Sequence, residues 1–303
     1  MKVAAVIVTR NRHESLIDCI NSLLNASTAP AEIIVVDNAS EDNTPTIIAD
    51  RFPSIHLITL SKNLGPAGGG EVGQRYAYEK GFDAVWMMDD DAKAGHETLT
   101  KLLEVFDEIK EEIANNPILS PVACRDKELT HPFYNVLRYN KVVGIPRRVD
   151  EKEYKNRYFE VNMVPMCGMF IPRKVFEISG FVRGDFFGWY DDTEFVLRAQ
   201  KNGFKVFAVT EARIYHAIVR STKKIFGRNF TFIKGNPDRL YYGTRNNIIA
   251  QREFLPWFNF YFLFLPVFIV RRGVSIIFFY ENKGAFLKHM FKGVGAALKE
   301  IWK

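Results

Sequence analysis

The chain has 303 residues, 47% hydrophobic and 25% charged, with a formal net charge of +6. This balance supports a sizeable core and excludes a disordered or low-complexity chain. Cys19, Cys124 and Cys167 are far apart and form no CxxC pair, which excludes a disulfide scaffold and a cysteine zinc site and fits a reducing compartment.

The first hundred residues alternate strand and helix patterns. "MKVAAVIVTRNR" has too short an apolar run, and no small-residue cleavage site, for a secretory leader, so "VAAVIVT" reads as a first strand buried on both faces. "HESLIDCINSLLNA" spaces Leu16, Ile17, Ile20, Leu23 and Leu24 as one helix face. "AEIIVVDNAS" is a second buried strand ending in Asp37 and Asn38, "EDNTPTIIADRF" a capped helix and "IHLITL" a third strand. The loop "SKNLGPAGGG", a helix "EVGQRYAYEKG" and a fourth strand "FDAVWMM" follow, with the triplet Asp89-Asp90-Asp91 at that strand's end. Repeated strand–helix–strand units predict a doubly wound α/β sheet, mostly parallel, in which ligands lie beyond the carboxyl ends of the strands.

Residues 115–165 carry no clear periodicity. "VNMVPMCGMFIPRKVFEISGF" reads as a further strand and helix. The pair Asp191-Asp192 opens a helix that Gly203 stops, and "KVFAV" is a strand leading to His216. From 254 to 270, "FLPWFNFYFLFLPVFIV" is uncharged, near the lower length limit for a spanning helix and interrupted by Pro256, Asn259 and Pro266. It holds many of the chain's 26 phenylalanines. Beyond Arg271-Arg272, "NKGAFLKHMFKGVGAALKEIWK" sets Phe286, Leu287, Met290, Phe291, Val294, Leu298 and Ile301 against lysines, the pattern of a basic helix in a membrane interface. Nearly all the net positive charge lies after Phe254, where Arg271, Arg272 and five lysines face only Glu281 and Glu300. An anionic partner for the tail alone is expected.

Singly, each polar motif has a plain explanation. Asp89 and Asp91 could form a solvated turn or hold a divalent cation through oxygen ligands. "NLGPAGGG" is neither a P-loop nor GxGxxG, and its glycines could give a flexible turn or let backbone approach a ligand. Asp191 and Asp192 could be helix caps, and His216 a satisfied interior histidine.

In order and spacing, however, "VIVTRNR", "IIVVDNASED", "NLGPAGGG", "WMMDDDA", "GWYDDTEFVLRAQKNGFKVFAV" and "IYH" resemble the glycosyltransferase family 2 enzymes over residues 3–250. The resemblance implies a GT-A, Rossmann-like fold and inverting transfer from a nucleotide-sugar. It places Thr9, Arg10 and Asp37 on the nucleotide, and Asn63, Gly65, Gly68, Gly69 and Gly70 along the nucleotide and donor sugar. Asp89, Asp91 and His216 would bind the metal (Mn²⁺ or Mg²⁺), with Asp90 facing the donor sugar. Asp192 would be the catalytic base, with Trp189 and Asp191 near the acceptor. A base for the acceptor hydroxyl and a Lewis acid for the departing diphosphate are what such a transfer needs.

The acidic triplet with "GWYDDTEF" and "YH" is similar to galactofuranosyltransferases using UDP-galactofuranose. "NLGPAGGG" and "YYGTRNNIIA" also occur in rhamnosyltransferase-like members, making dTDP-rhamnose, or another UDP-hexose, the alternative donor. The expected organisation is a catalytic domain over 1–220, with a nucleotide-sugar half to about 92 and an acceptor half over 93–220. A C-terminal helical region over 221–303 would be membrane-associating or dimerising, with a glycan or glycolipid acceptor and a cytoplasmic, peripheral location on the inner membrane face. The non-enzyme alternative, a basic-tail membrane or nucleic-acid binder, fits less well. The aromatics precede the basic part as an uncharged block, which suits lipid better than base stacking and predicts no nucleic-acid partner.

Overall fold

The computed structural model describes residues 1–302 except 114, 131, 133–135, 141, 217–220, 226–227 and 233–234, and only the backbone of 221, 223, 225 and 228–232. The chain forms two compact units. Unit 1 comprises Met1–Arg138, Arg147–Phe187 and Asp191–Ala217; unit 2 comprises Tyr139–Pro146, Gly188–Tyr190 and Ile218–Lys303.

The first part of the chain follows the sequence pattern closely. It runs β1 (Val3–Thr9), α1 (His13–Leu24), β2 (Glu32–Asp37), α2 (Thr44–Arg51), β3 (His56–Thr59), α3 (Gly65–Glu79), β4 (Ala84–Asp89), β5 (Ala92–Ala94) and α4 (Thr98–Ile109). Strands β6 (Ile118–Cys124), β7 (Leu137–Tyr139), β8 (Pro146–Arg148) and β9 (Tyr158–Val161) occupy the stretch where periodicity is weak, most being short, and β10 (Phe170–Pro172) is the further strand expected after it. There follow α5 (Arg173–Ser179), α6 (Asp191–Lys201), β11 (Val206–His216), the hairpin β12 (Ser221–Ile225) and β13 (Arg228–Phe232), then α7 (Pro237–Phe254), α8 (Leu265–Phe279) and α9 (Lys283–Ile301). The segment from 221, expected to be helical, therefore begins with a β-hairpin; the expected boundary residue 220 lies outside the described residues.

A nine-stranded sheet orders its strands β3-β2-β1-β4-β10-β6-β11-β5, with β9 on β11. The long pairings (β1 with β2 and β4, β6 with β11) are parallel, whereas β10, β9 and β5 run antiparallel to their neighbours. Alternate residues of the central strands feed two cores. Ala5, Ile7 and Trp86 pack with α1 and α4 on one face, and Ala4, Val6 and Met87 pack with the other-face helices on the opposite one. Burial of both faces explains why these strands read as continuous β-branched runs.

The glycine-rich segment is a helix, not the expected loop. Gly65 opens α3 with φ +73°, its N–H donating to Asn63 Oδ1 at 2.8 Å, and the remaining glycines lie in the first turns. A Cβ on Gly69 would meet Val8 Cγ1 at 2.5 Å, and one on Gly73 would press on both Val6 and Val36. These glycines let α3 lie against β1 and β2. Gly73→Ala improves helix propensity by ~1 kcal/mol, but overpacking costs ~1–3 kcal/mol. With two β-branched neighbours in the way the second effect wins, so thermal melting of Gly73→Ala is expected to give a lower Tm than wild type.

In unit 2, α9 packs its Phe286, Met290 and Val294 inward, at 8%, 1% and 9% exposure. Phe286 and Met290 cluster with Leu240 of α7 and Ile276 of α8. The apolar face expected to meet lipid is thus largely interior, although Phe291 remains 58% exposed. Asn259–Phe279 forms one 21-residue helical stretch, long and apolar enough to cross a membrane, of whose most apolar window only 11% is buried. Its first residues, Asn259–Phe264, wind as a π-helix. Pro266 lacks an N–H for the i→i−4 bond, and a wider turn just ahead of it accommodates that loss.

Candidate active site

The carboxyl ends of β1, β2 and β4 gather the polar residues at one edge of unit 1. The parallel register pairs Val8 with Asp89, so the next residues, Thr9 and Asp90, are neighbours. Thr9 Oγ1 donates to Asp90 Oδ2 at 2.9 Å, and both residues are buried. Arg12 reaches back from the start of α1, with Nη1 at 2.9 Å from Asp90 Oδ1 and Nη2 at 2.8 Å from Asp91 Oδ2. The three consecutive carboxylates are thus partly neutralised from within the chain. Burial still pushes Asp90 up to about 6, with Arg12 and Thr9 pulling the other way.

His216 arrives by long-range pairing. Strand β11 runs antiparallel to β5, setting His216 opposite Ala92, directly after the triplet. Its Nε2 lies 3.4 Å from Asp91 Oδ1 and 3.6 Å from Asp89 Oδ2. His216 and then Arg12 hold Asp91 down at about 2, and Asp91 in turn raises His216. Asp89 keeps 48% of its side-chain area open, yet surrounding protein strips enough hydration to raise its pKa against the opposing effect of His216. Donor atoms of Asp89, Cys167 and His216 lie within 4.8 Å of one another. Burial raises the Cys167 thiol well above its usual range, so it stays protonated. For a hard divalent cation Asp91 is a more suitable third donor than the thiol, since Asp89 and Asp91 each set an oxygen within 3.6 Å of His216 Nε2.

The Asp191–Asp192 pair opens α6. Asp192 Oδ1 accepts from Thr193 N–H at 2.6 Å and from Thr193 Oγ1 at 3.2 Å. Burial raises both carboxyls, the neighbouring Asp192 charge also raises Asp191, and the Asp89 charge adds to each. The acidic pair and the Asp89 cluster therefore lie close enough in unit 1 to feel one another. Ahead of the pair, Phe187, Trp189 and Tyr190 all have left-handed backbone, φ +63°, +65° and +67°. Bulky residues rarely adopt it, and each costs ~1–3 kcal/mol that surrounding structure must offset. Within unit 2, buried Asn246 of α7 donates to Gly188 O at 2.9 Å and to Trp189 O at 3.0 Å.

Other expected residues occupy different surroundings. Asp90, expected to face the donor sugar, is held by Thr9 and Arg12, because the strand register puts it beside them. Asp37 is fully buried and accepts from Ser40. Arg10 donates to Ala39 O at 3.2 Å and pairs with Glu41. Gly68 and Gly69 are buried in α3, and Asn63 is exposed at its approach. Trp189 lies in unit 2, its ring 5.2 Å from the Arg239 guanidinium. Two residues escaped sequence reasoning. Arg12 sits in the quoted "VIVTRNR", and its helix-start position opposite an acidic triplet is the signal that could have revealed it. Asn38 accepts from Leu64 N–H and donates to Gly65 O, both at 2.8 Å, clamping the entry to α3; its place at a strand end was the available clue.

The family model for glycosyl transferase family 2 matches residues 4–178. The chain belongs to glycosyl transferase family 2. It is a glycosyltransferase. The dTDP-rhamnosyl transferase RfbF of Shigella flexneri is 29% identical over 251 residues, 83% of this chain and 80% of that protein. The galactofuranosyltransferase GlfT1 of Mycolicibacterium smegmatis is 32% identical over 102 residues, 33% of each chain. Among solved structures, S. aureus TarS 1–349 in complex with UDP-GlcNAc aligns with a TM-score of 0.58 at 16% identity, over 99% of this family 2 chain and 83% of TarS. GalNAc-T7 with UDP, GalNAc and Mn²⁺ aligns at 0.64 and 13% identity, over 99% and 56%. These alignments agree with the expected GT-A-like fold.

Proposed function

We propose that this family 2 enzyme transfers a sugar, with inversion, from a nucleotide diphosphate donor to an acceptor hydroxyl, with Asp192 as general base. The observation that carries the reading is that His216 Nε2 stands 3.6 Å from Asp89 and 3.4 Å from Asp91, close enough to the Asp191–Asp192 pair for Asp89 to raise both carboxyls. Asp192 takes the acceptor proton, its orientation fixed by Thr193. Asp191 stands beside the acceptor. Thr9, Arg10, Asp37, Asn63 and the glycines that open α3 line the nucleotide, and Arg12 holds Asp90 and Asp91 in place. A divalent cation, Mn²⁺ or Mg²⁺, held by Asp89, Asp91 and His216 would supply Lewis acidity to the departing diphosphate.

For the donor, the long match to a dTDP-rhamnosyl transferase favours a dTDP-linked deoxyhexose. UDP-galactofuranose, expected from the acidic motifs, is the second reading, supported by the shorter match to a galactofuranosyltransferase. The exposed apolar stretch of unit 2 supports peripheral attachment to the inner membrane face and a lipid-linked glycan acceptor.

Calorimetric titration with dTDP and with UDP, each with Mn²⁺ and with EDTA, tests this reading. Binding of one nucleotide that is strong with Mn²⁺ and lost with EDTA is the expected result. His216→Ala is expected to weaken Mn²⁺-dependent binding by at least about 10- to 100-fold, the loss already seen when only a group supporting a metal ligand is removed. Metal-independent binding would remove the cation from the mechanism, and no binding of either nucleotide would overturn the donor site.

A further inference from the structure

Unit 2 contains a cavity of about 550 Å³ between the Val143–Pro146 turn and the Asn259–Phe279 helix. Phe264 and Phe268 give it an apolar wall, and Asn247, Arg271, Arg272 and Ser275 give it a polar end; among the described residues no carboxylate lines it. The polar end is incompletely satisfied. Asn247 is 5% exposed, and among the described residues neither its Oδ1 nor the buried Arg272 Nε has a hydrogen-bond partner. Among the described residues neither Arg271 nor Arg272 forms an ion pair; Arg272 stands over the Phe268 ring, 5.6 Å away, and Arg239 is a further cation near enough to feel its charge. The buried, unpaired Arg272 donor is costly unless an acceptor from outside joins it, and exposed Arg271 beside it adds a second positive charge that favours an anion there.

The same helix says what kind of anion. Its outer residues Phe262, Val267, Val270 and Val274 are 57%, 46%, 63% and 47% exposed, and Trp257 and Phe258 just ahead are 58% and 59%. A free phosphate would match the arginines but not this apolar face. An amphiphile matches both, its phosphate at the arginines and its chains along the aromatic and aliphatic side. We infer that the cavity binds the phosphate head of a membrane lipid and seats unit 2 on the bilayer. The inference rests on the membrane reading proposed above and is independent of the donor chemistry.

The test is flotation of the full chain with vesicles of phosphatidylcholine alone or with phosphatidylglycerol. Wild type is expected to prefer the anionic vesicles. Arg271→Gln/Arg272→Gln should weaken that binding roughly 30-fold, from ~1 kcal/mol for each basic residue at an anionic surface. Lys288→Gln/Lys292→Gln, the same charge change on the exposed side of α9, should have a clearly smaller effect. Equal losses in the two double variants, or wild-type flotation of the arginine variant, would overturn the cavity as the site. So would tight binding of inorganic phosphate in a titration without vesicle preference, which would assign the cavity to a free anion.

A second readout does not depend on the arginine variant folding. The native cysteines are all buried, so a bimane label directed to Ser275→Cys reports the cavity alone. Quenching by phosphatidylglycerol brominated in its acyl chains is expected, and absence of quenching would overturn the proposal. Nucleotide titration of the same proteins separates the two readings. Lost donor binding in wild type would sink the transferase mechanism, whereas unchanged donor binding with no cavity-dependent flotation would sink only the lipid site.

Discussion

Asp192→Asn is expected to lower transfer by about 10²- to 10⁴-fold, the contribution of a positioned general base. Asparagine keeps the Oδ1 acceptor used by Thr193, so the start of α6 should persist and nucleotide affinity should stay at the wild-type value. A fall in turnover with unchanged donor binding, measured by product formation and calorimetry, separates loss of the base from loss of the fold. Transfer at the wild-type rate would remove Asp192 from the mechanism.

The pH dependence follows from the same pair. Burial raises both carboxyls, Asp191 to about 7 with Asp192 next to it. The base works only when ionised, so kcat/KM should decline as pH falls through a window above the ordinary carboxylate range, not within it. The limb belongs to the pair, because each carboxyl titrates in the field of the other. Asp191→Asn removes that like charge and should move the limb to lower pH; a profile that does not move would show that Asp191 does not set the base's ionisation.

The largest expected loss of stability is at Arg198. Glu194 on α6 is fully buried and is matched by a two-pronged contact, Arg198 Nε to Oε1 at 2.7 Å and Nη2 to Oε2 at 3.0 Å. The guanidinium also donates to the Ser179 and Phe181 carbonyls. Arg198→Met leaves a buried carboxylate without its partner, a change that costs about 3–5 kcal/mol. Urea unfolding should show the midpoint falling with little change in slope. Glu194→Leu/Arg198→Met should recover a large part of the loss, because the penalty lies in the unpaired charge more than in the missing attraction. A single variant within ~1 kcal/mol of wild type would contradict this account. Since α6 also carries Asp191 and Asp192, activity should fail at the temperature where that helix loosens.

Much of the fold was legible in the sequence because the strands buried on both faces state their environment locally. Val3–Thr9, Glu32–Asp37 and Ala84–Asp89 are runs that only an interior strand tolerates, and polar residues begin where those strands end. The acidic triplet, the Asp191–Asp192 pair and His216 were also visible as residue types in a fixed order. The glycines of 65–70 are the exception. Their low helix propensity suggests a loop, and only the closeness of Val8 to Gly69 shows why a helix there needs glycine. The face of α9 was ambiguous for a related reason, since an amphipathic pattern is the same whether its apolar side meets lipid or, as here, Leu240 and Ile276.

The sequence by itself determined which chemistry was present and on which side of each strand it would stand. What only the tertiary structure decided is which groups meet. His216 reaches Asp91 through antiparallel pairing of β11 with β5, Arg12 reaches Asp90 and Asp91 from the next helix, and Asp90 meets Thr9 through the β1–β4 register. Periodicity encodes the direction a side chain takes from its own backbone; partners across a sheet are chosen by packing of the whole core, and no local pattern records that choice.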